Sequence, residues 1–359
     1  MRHTKTFYKG RLRGRALTLA ICALLCVSML LPLSGCGETK MAQSQIFAMD
    51  TLMTLTAYGK HGEAGIAAAA DVISSMDTML DPELPTSTVY AINHALGNSV
   101  VVSGQVAQML STAKLVYDRS GGALDPSLYP VIKLWGFVDG KYYVPSEEEI
   151  AQVLALKCFD KMTLNSFPSS GAYSVTFPSG AEISLAAIAK GCAAENAISA
   201  MRQMGVESGI VSLGGNVQTL GLKPDGTNWN VAIQDPNNTD SYLGVISVGE
   251  TAVVTSGTYQ RKFTDMRGRT YHHLFNPNTG SPISNALLSV TIVCEDGTLA
   301  DALSTAMFVL GESRALSYWR SYPDFEMIIV TNDNRVVCTS GLIEQITLSN
   351  PSYTLIFSE

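Results

Sequence analysis

Charge is scarce in this chain. Only 15% of its 359 residues are Asp, Glu, Lys or Arg, against 46% apolar residues. A disordered chain needs the opposite balance, so disorder as a whole is excluded. Histidine is also scarce, with five residues, and tryptophan numbers three. The seven cysteines form no CxxC pair and no Cys/His spacing, so no zinc site is expected. Repeats, low-complexity tracts and long linkers are missing after residue 45, and no internal boundary is marked. Acid is absent from the first 35 residues, which carry Arg2, Lys5, Lys9, Arg11, Arg13 and Arg15. Setting those six aside leaves 18 basic residues against 31 acidic ones, a net of −13. Such a body repels phosphate backbones, so no nucleic-acid partner is expected.

What is present begins with an address. Residues 1–15 are basic and residues 16–33 carry no charge, the pattern of a secretory signal over residues 1–35. The run ends at Leu33-Ser34-Gly35-Cys36, which resembles a bacterial lipobox with lipid carried on Cys36. A transmembrane anchor is the other reading, since 18 apolar residues sit at the lower limit of a span. Either way the body is expected outside the cytoplasm, held at the cell membrane. Residues 36–45 read as the lipidated Cys and a polar leash, and residues 46–359 as one domain. Of Cys158, Cys192, Cys294 and Cys338, Cys192 falls in a helical pattern and Cys294 and Cys338 in strand-like runs; the four read as buried free thiols, with a disulfide as the alternative.

Apolar spacings of three and four predict helices over 63–80, 103–120, 187–204 and 298–310. Strand-like runs are 46–57, 172–177, 209–213, 229–234, 243–248, 251–255, 287–294, 326–331 and 335–338. Strands and helices mix without strict alternation, which predicts an α+β domain with helices on a mainly antiparallel sheet.

Four segments hold more glycine and polar residues than packing requires. In Ser120-Gly121-Gly122-Ala123-Leu124-Asp125-Pro126-Ser127 the paired glycines let backbone approach a ligand, or simply cap the preceding helix. Asp125, extended before Pro126, can accept hydrogen bonds. In Ser184-Leu185-Ala186-Ala187-Ile188-Ala189-Lys190-Gly191 small residues open a helix whose N-terminus attracts phosphate, with Lys190 as a point charge; an ordinary helix start reads the same way. Leu213-Gly214-Gly215-Asn216 is a hairpin turn or a ligand-facing loop. In the region 255–305, Asp301 and Thr305 are one helical turn apart and supply hard oxygen ligands suited to Mg²⁺. A plain helix start with a back-bonded Thr is the alternative. His272 and His273 are adjacent on a strand, which puts one on each face.

Taken in order, SGGALDPSLYPVIKLWGF, AAIAKG, VSLGGNVQTLG, WNVAIQDP, AVVTSGTYQRKF, YHHLFNPNTGSPIS and SVTIVCEDGTLADALSTAMFVLG resemble the ApbE family of FAD:protein FMN transferases, over roughly residues 47–312. The resemblance implies a T-fold-like single domain with FAD as substrate and Mg²⁺ as cofactor. It implies transfer of FMN to a Thr or Ser hydroxyl of a partner flavoprotein, with AMP released. By position, Met49, Ala123, Leu124, Asp125, Ser184, Lys190 and Phe275 match flavin-nucleotide contacts. Asp301, Thr305 and the carbonyl of Ala187 match the Mg²⁺ ligands, and His273 the histidine beside the reacting phosphate. Exported lipoproteins are typical of the family, in keeping with Cys36.

Several positions depart from the family pattern. Ser184 and Asn276 stand where Asp is usual, and Asp50 where Gly is usual. Asp81-Pro82-Glu83 replaces a Ser-x-Tyr upstream of Asn93. Asn276 is assigned to the catalytic group with His273 and Asp301, as the remnant of a carboxylate that would act as base or orient His273. The alternative function is an FAD-binding lipoprotein with weak or no transfer, because of Ser184 and Asn276. The chain carries no acceptor sequence of the Asp-x-x-Thr/Ser-Gly/Ser-Ala-Thr kind, so it is expected to modify another protein.

Overall fold

The structure is a computed structural model that describes residues 40–358 except Ser170. The signal segment and Cys36 lie outside the described residues. Nine strands form the central sheet: β1 (Met41–Ala48), β2 (Thr51–Tyr58), β3 (Ser208–Leu213), β4 (Asn216–Leu220), β5 (Ala252–Gly257), β6 (Leu287–Cys294), β7 (Glu326–Thr331), β8 (Arg335–Thr339) and β9 (Thr354–Ser358). Their spatial order follows the chain. All neighbours pair antiparallel except β8 and β9, which are parallel.

Four long helices supply the layer on one face: α1 (Gly62–Leu80), α2 (Gly104–Ser120), α3 (Ala186–Gln203) and α4 (Gly297–Leu310). These match the four helices read from apolar spacing to within a residue at each end. Ser103 caps α2 by accepting from the Val106 N–H, and Asp296 caps α4 by accepting from Leu299 N–H at 2.8 Å. The other face carries a three-stranded sheet built from Trp229–Asp235, Asn238–Val248 and Ile346–Leu348. The period of two sorts β5 to β7 between these layers. Val254, Ile292 and Ile329 enter the helix-side core, while Val253, Val293 and Ile328 enter the core under the small sheet. A strand covered on both faces reads as a near-continuous apolar run, which is why LLSVTIVC stands out in the sequence despite Ser289 and Thr291. Phe308 of α4 is wholly buried, a contribution of roughly 1.5–3 kcal/mol. Cys158, Cys192, Cys294 and Cys338 are buried free thiols.

Two expectations are corrected. The run 46–57 is not one strand but the end of β1 and nearly all of β2, joined by a two-residue turn at Met49 and Asp50. Residues 41–45 are not leash, because β1 starts at Met41 and pairs with β2 along its whole length. Its alternation leaves Met41, Gln43, Gln45 and Phe47 exposed while Ala42 and Ile46 pack on the core. A polar stretch with period two is an edge strand with one wet face. Among the described residues no helix is long and apolar enough to cross a membrane.

Candidate active site

Two tight turns lie side by side at one end of the sheet. Met49 and Asp50 have φ of 49° and 58°, and Gly214 and Gly215 have φ of 58° and 101°. Both are two-residue hairpins of the mirror-image type that matches strand twist. Leu213-Gly214-Gly215-Asn216 is therefore a hairpin turn. A Cβ at Gly214 would sit 3.0 Å from the Thr51 Cβ, so the turns touch and glycine is required between them. Asp77 of α1 anchors the first turn by accepting from the Met49 N–H at 3.0 Å.

The helices bring the second half of the site. α3 and α4 cross so closely that a Cβ on Gly191 would lie 2.6 Å from the Asp301 Cβ and 2.9 Å from the Gly297 carbonyl carbon. That approach presses the Asp301 carboxylate against α3, where Oδ2 accepts from the Gly191 N–H at 2.8 Å. In an uninterrupted helix that N–H would serve the carbonyl of Ala187. The carboxylate competes for it, leaving Ala187 oxygen with acceptor capacity toward another ligand. One turn further along α4, Thr305 Oγ1 lies 3.3 Å from Ser256 Oγ, which is 2.8 Å from Ser304 Oγ. Ser256 thus holds the hydroxyl row in place, and Thr305 stays half-buried with an open side.

Asp301 is buried, and burial pushes its carboxyl above the ordinary value. The Lys190 charge, the N–H groups of Gly191 and Lys190, and the Asn216 amide act in the opposite direction. Asn216 itself is 1% exposed, and neither its Oδ1 nor its Nδ2 closes a hydrogen bond of full geometry. A carboxylate, a hydroxyl and a backbone carbonyl form an all-oxygen set, and the carboxylate is buried with no cation within 4.0 Å among the described residues. That donor chemistry fits Mg²⁺ rather than a softer metal. No cluster of three His, Cys, Asp or Glu side chains exists among the described residues to offer a competing site.

The loop segments close the cleft. Ser184 ties two of them together: its N–H donates to the Pro126 carbonyl at 3.0 Å and its Oγ accepts from Ala186 N–H at 3.3 Å. Ala123 and Leu124 are buried. Gly121 ends α2 in the left-handed region with φ of 63°, the cap that its position after the helix suggested. Asp125 Oδ1 accepts from the Ser127 N–H at 3.0 Å and hydroxyl at 2.6 Å. Its Oδ2 makes no hydrogen bond, with Lys157 Nζ 3.6 Å away. Asn93 clamps Ile183 through both amide atoms, at 2.8 and 3.0 Å, and so sets the approach of Ser184. Glu83, in the stretch that departs from the family pattern, accepts from the Tyr129 hydroxyl.

The histidine pair divides as the strand pattern implied. His272 Nε2 donates to the Ile283 carbonyl at 2.9 Å and Nδ1 accepts from the Leu274 N–H at 3.2 Å, so both nitrogens are engaged. His273 Nδ1 faces the Arg261 carbonyl at 3.3 Å. A carbonyl only accepts, so Nδ1 carries the proton and Nε2 keeps its lone pair. Burial, then the Arg261 charge, with Lys190 adding to them, push its pKa down to about 3. That lowering favours the neutral ring at neutral pH.

Two assigned residues are placed differently. Asn276 Oδ1 accepts from the Asn278 N–H at 2.9 Å, an Asx turn, and its N–H donates to Ser281 carbonyl at 2.9 Å. It shapes the loop rather than orienting His273. The Phe275 ring is buried between Trp135 and Phe137, with centroids at 5.7 and 5.8 Å. It packs the aromatic cluster that Phe137 carries to His273, with ring centroids 6.5 Å apart. Sequence reasoning passed over Asn216 and Ser256. The only available signal was their position immediately after Gly214-Gly215 and within Thr255-Ser256-Gly257.

The ApbE family model matches residues 49–329. The FAD:protein FMN transferase of Treponema pallidum (strain Nichols) is 31% identical over 321 residues, covering 85% of this chain and 88% of that protein. The FAD:protein FMN transferase of Klebsiella pneumoniae (strain 342) is 32% identical over 282 residues, covering 78% and 86%. The crystal structure of the ApbE protein from Thermotoga maritima superposes with a TM-score of 0.74 at 27% identity, covering 81% of this chain and 94% of that one. With the family model spanning more than half of its length, the chain belongs to the ApbE family.

Proposed function

We propose that this protein transfers FMN from FAD to a hydroxyl of a partner flavoprotein, with Mg²⁺ as cofactor and AMP as leaving group. The observation that carries the reading is the buried Asp301 carboxylate, pressed onto the Gly191 N–H one turn from Thr305. When bound there by Asp301, Thr305 and the Ala187 carbonyl, Mg²⁺ would neutralise charge on the FAD diphosphate. The protein's own groups do the rest. The N-terminus of α3 and Lys190 attract the diphosphate to the small-residue turn at Ala186-Ala187. Phosphoryl transfer needs positioning and charge stabilisation more than covalent help, and these groups are already in place before the substrate arrives.

His273 takes the proton. Its Nε2 lone pair is held outward by the Nδ1–H bond to Arg261 carbonyl, ready to accept the proton of an incoming Thr or Ser hydroxyl. A pKa of about 3 is low for a base. Bound diphosphate brings negative charge beside the ring, opposing Lys190 and Arg261 and raising the pKa toward the working range. The acceptor sits in another protein, and lipid on Cys36 would hold the enzyme at the extracytoplasmic face near membrane-bound acceptors.

The alternative reading, an FAD-binding protein with weak transfer, has one observation in its favour. Asn276 engages Asn278 and leaves His273 without a carboxylate partner. Both readings are tested by incubating the full chain, purified in detergent, with FAD, Mg²⁺ and a soluble acceptor domain. Flavin fluorescence on the acceptor band that survives denaturation, lost on omitting Mg²⁺ and in Asp301→Ala, supports transfer. FAD binding with no fluorescent acceptor band supports the alternative. Full transfer by Asp301→Ala overturns the metal assignment.

A further inference from the structure

The segment that leads into His273 has a charge unlike the rest of the body. Residues 261–269 hold Arg261, Lys262, Arg267 and Arg269 against one acid, Asp265. They belong to an exposed hairpin in which Lys262–Thr264 pairs with Thr270–His272. Part of this charge is committed internally. Asp265 accepts from the N–H groups of Arg267 and Arg269, each at 2.9 Å, and from Arg269 Nε at 3.1 Å. Arg261 donates to the Phe137 carbonyl at 2.6 Å. Lys262 and Arg267 are exposed, and neither has a carboxylate within 4.0 Å among the described residues.

Apolar surface accompanies the charge. Met266 at the hairpin tip is fully exposed, and Tyr142, stacked on Phe263 at 4.8 Å between centroids, is half-exposed beside it. Met, Tyr and Arg are side chains that interfaces favour. The base of the hairpin is the site itself. The Arg261 carbonyl accepts both from the His273 N–H at 3.1 Å and from its ring Nδ1 at 3.3 Å. Anything seated on the hairpin is brought over His273.

We propose that this hairpin docks an acidic face of the protein that receives the flavin, an inference that rests on the transferase reading above. On a body with a net charge of −13, this hairpin is a local concentration of positive charge that an acidic partner would favour. The basic island therefore steers its encounter to the hairpin whose base holds His273 through the Arg261 carbonyl. Met266 and Tyr142 supply apolar contact once the partner is seated. An anionic membrane would answer to the same charges, but it delivers no hydroxyl, and the hairpin springs from the catalytic histidine rather than from a remote face.

The test is a double charge reversal, Lys262→Glu with Arg267→Glu, in the full chain purified in uncharged detergent. The probe is a soluble acceptor domain carrying the Asp-x-x-Thr/Ser-Gly/Ser-Ala-Thr sequence, assayed over a range of NaCl concentrations. For the parent, kcat/KM for the acceptor should fall as salt rises. For the reversal variant, kcat/KM at low salt should drop about tenfold or more, mainly through KM, with the salt dependence flattened. FAD affinity from fluorescence quenching should stay within about twofold, because neither side chain is among the residues assigned to the flavin nucleotide or the metal. The paired Lys262→Arg, Arg267→Lys variant should behave as the parent. An unchanged kcat/KM in the reversal variant overturns the docking proposal and leaves the transferase reading standing. So does a loss confined to proteoliposomes containing phosphatidylglycerol, which would assign the hairpin to the membrane. Failure of the parent to label the acceptor at all overturns both.

Discussion

Gly191→Ala separates two opposing effects at one atom. In an exposed helix the substitution stabilises by about 1 kcal/mol, since alanine forms helix better than glycine. Here the added Cβ would fall 2.6 Å from the Asp301 Cβ and 2.9 Å from the carbonyl carbon of Gly297. Optimal carbon–carbon contact is about 3.5–4.0 Å, so α3 and α4 must part by close to an ångström. The obstacle is backbone and a Cβ, neither of which can swing aside. Overpacking of this kind typically costs about 1–3 kcal/mol, occasionally more. Set against the propensity gain, a net loss of up to roughly 2 kcal/mol is expected, a fall in Tm of up to several degrees. Moving α4 also draws Asp301 off the Gly191 N–H, so Mg²⁺ affinity and transfer should fall further than stability alone explains. Gly297→Ala is the control, because its Cβ meets chiefly the Gln218 amide, a side-chain end that can rotate. Thermal unfolding and Mn²⁺ titration of both variants decide the matter. A Gly191→Ala protein as stable as the parent with unchanged metal affinity would refute the close crossing as the device that seats Asp301.

Other outcomes follow from the same geometry. Ionised Asp301 opposes folding of the metal-free protein, since burial raises its carboxyl and the folded state binds the proton more tightly than the unfolded. That opposition is full above the raised folded value and fades as pH falls toward the ordinary carboxylate range. Asp301→Asn should therefore raise Tm at pH 8 without Mg²⁺ and abolish the Tm gain that saturating Mg²⁺ gives the parent. A variant that still gains from Mg²⁺ would place the ion elsewhere. Asp50→Gly relieves a non-glycine residue at φ of 58° and should add about 0.5–1 kcal/mol to stability, read as a higher urea midpoint; a lower midpoint contradicts the turn assignment. His273, with its pKa held at about 3, should show no imidazole titration by NMR between pH 5 and 8 in the free protein. It should titrate in that range, or above, once FAD and Mg²⁺ are bound; titration near 6.5 in the free protein would contradict the lowering assigned to its surroundings.

The sequence made the long elements legible because they obey one period at a time. α1 to α4 each bury a stripe spaced by three and four, and LLSVTIVC is apolar at all but Ser289 and Thr291 because both of its faces are covered. The β1–β2 hairpin was misread because its turn uses Met49 and Asp50 in place of Asn-Gly chemistry, so two strands ran together. The polar face of β1 hid a strand in what read as a leash. Short elements such as Lys262–Thr264 escaped because three residues carry no period. In the site, Asp301 and Thr305 could be paired from their spacing alone. Asn216 could not, because its role comes from the close crossing of α3 over α4 beside β4. Asn276 was judged by its place in the chain, while its side chain answers to the local turn.

The most direct test of the central claim is a crystal of the protein soaked with FAD and Mn²⁺, measured at the manganese absorption edge. An anomalous peak within coordination distance of Asp301, Thr305 and the Ala187 carbonyl, with the FAD diphosphate against the start of α3, is the expected result. A peak elsewhere, or a diphosphate bound away from Ala186 and Ala187, would contradict it.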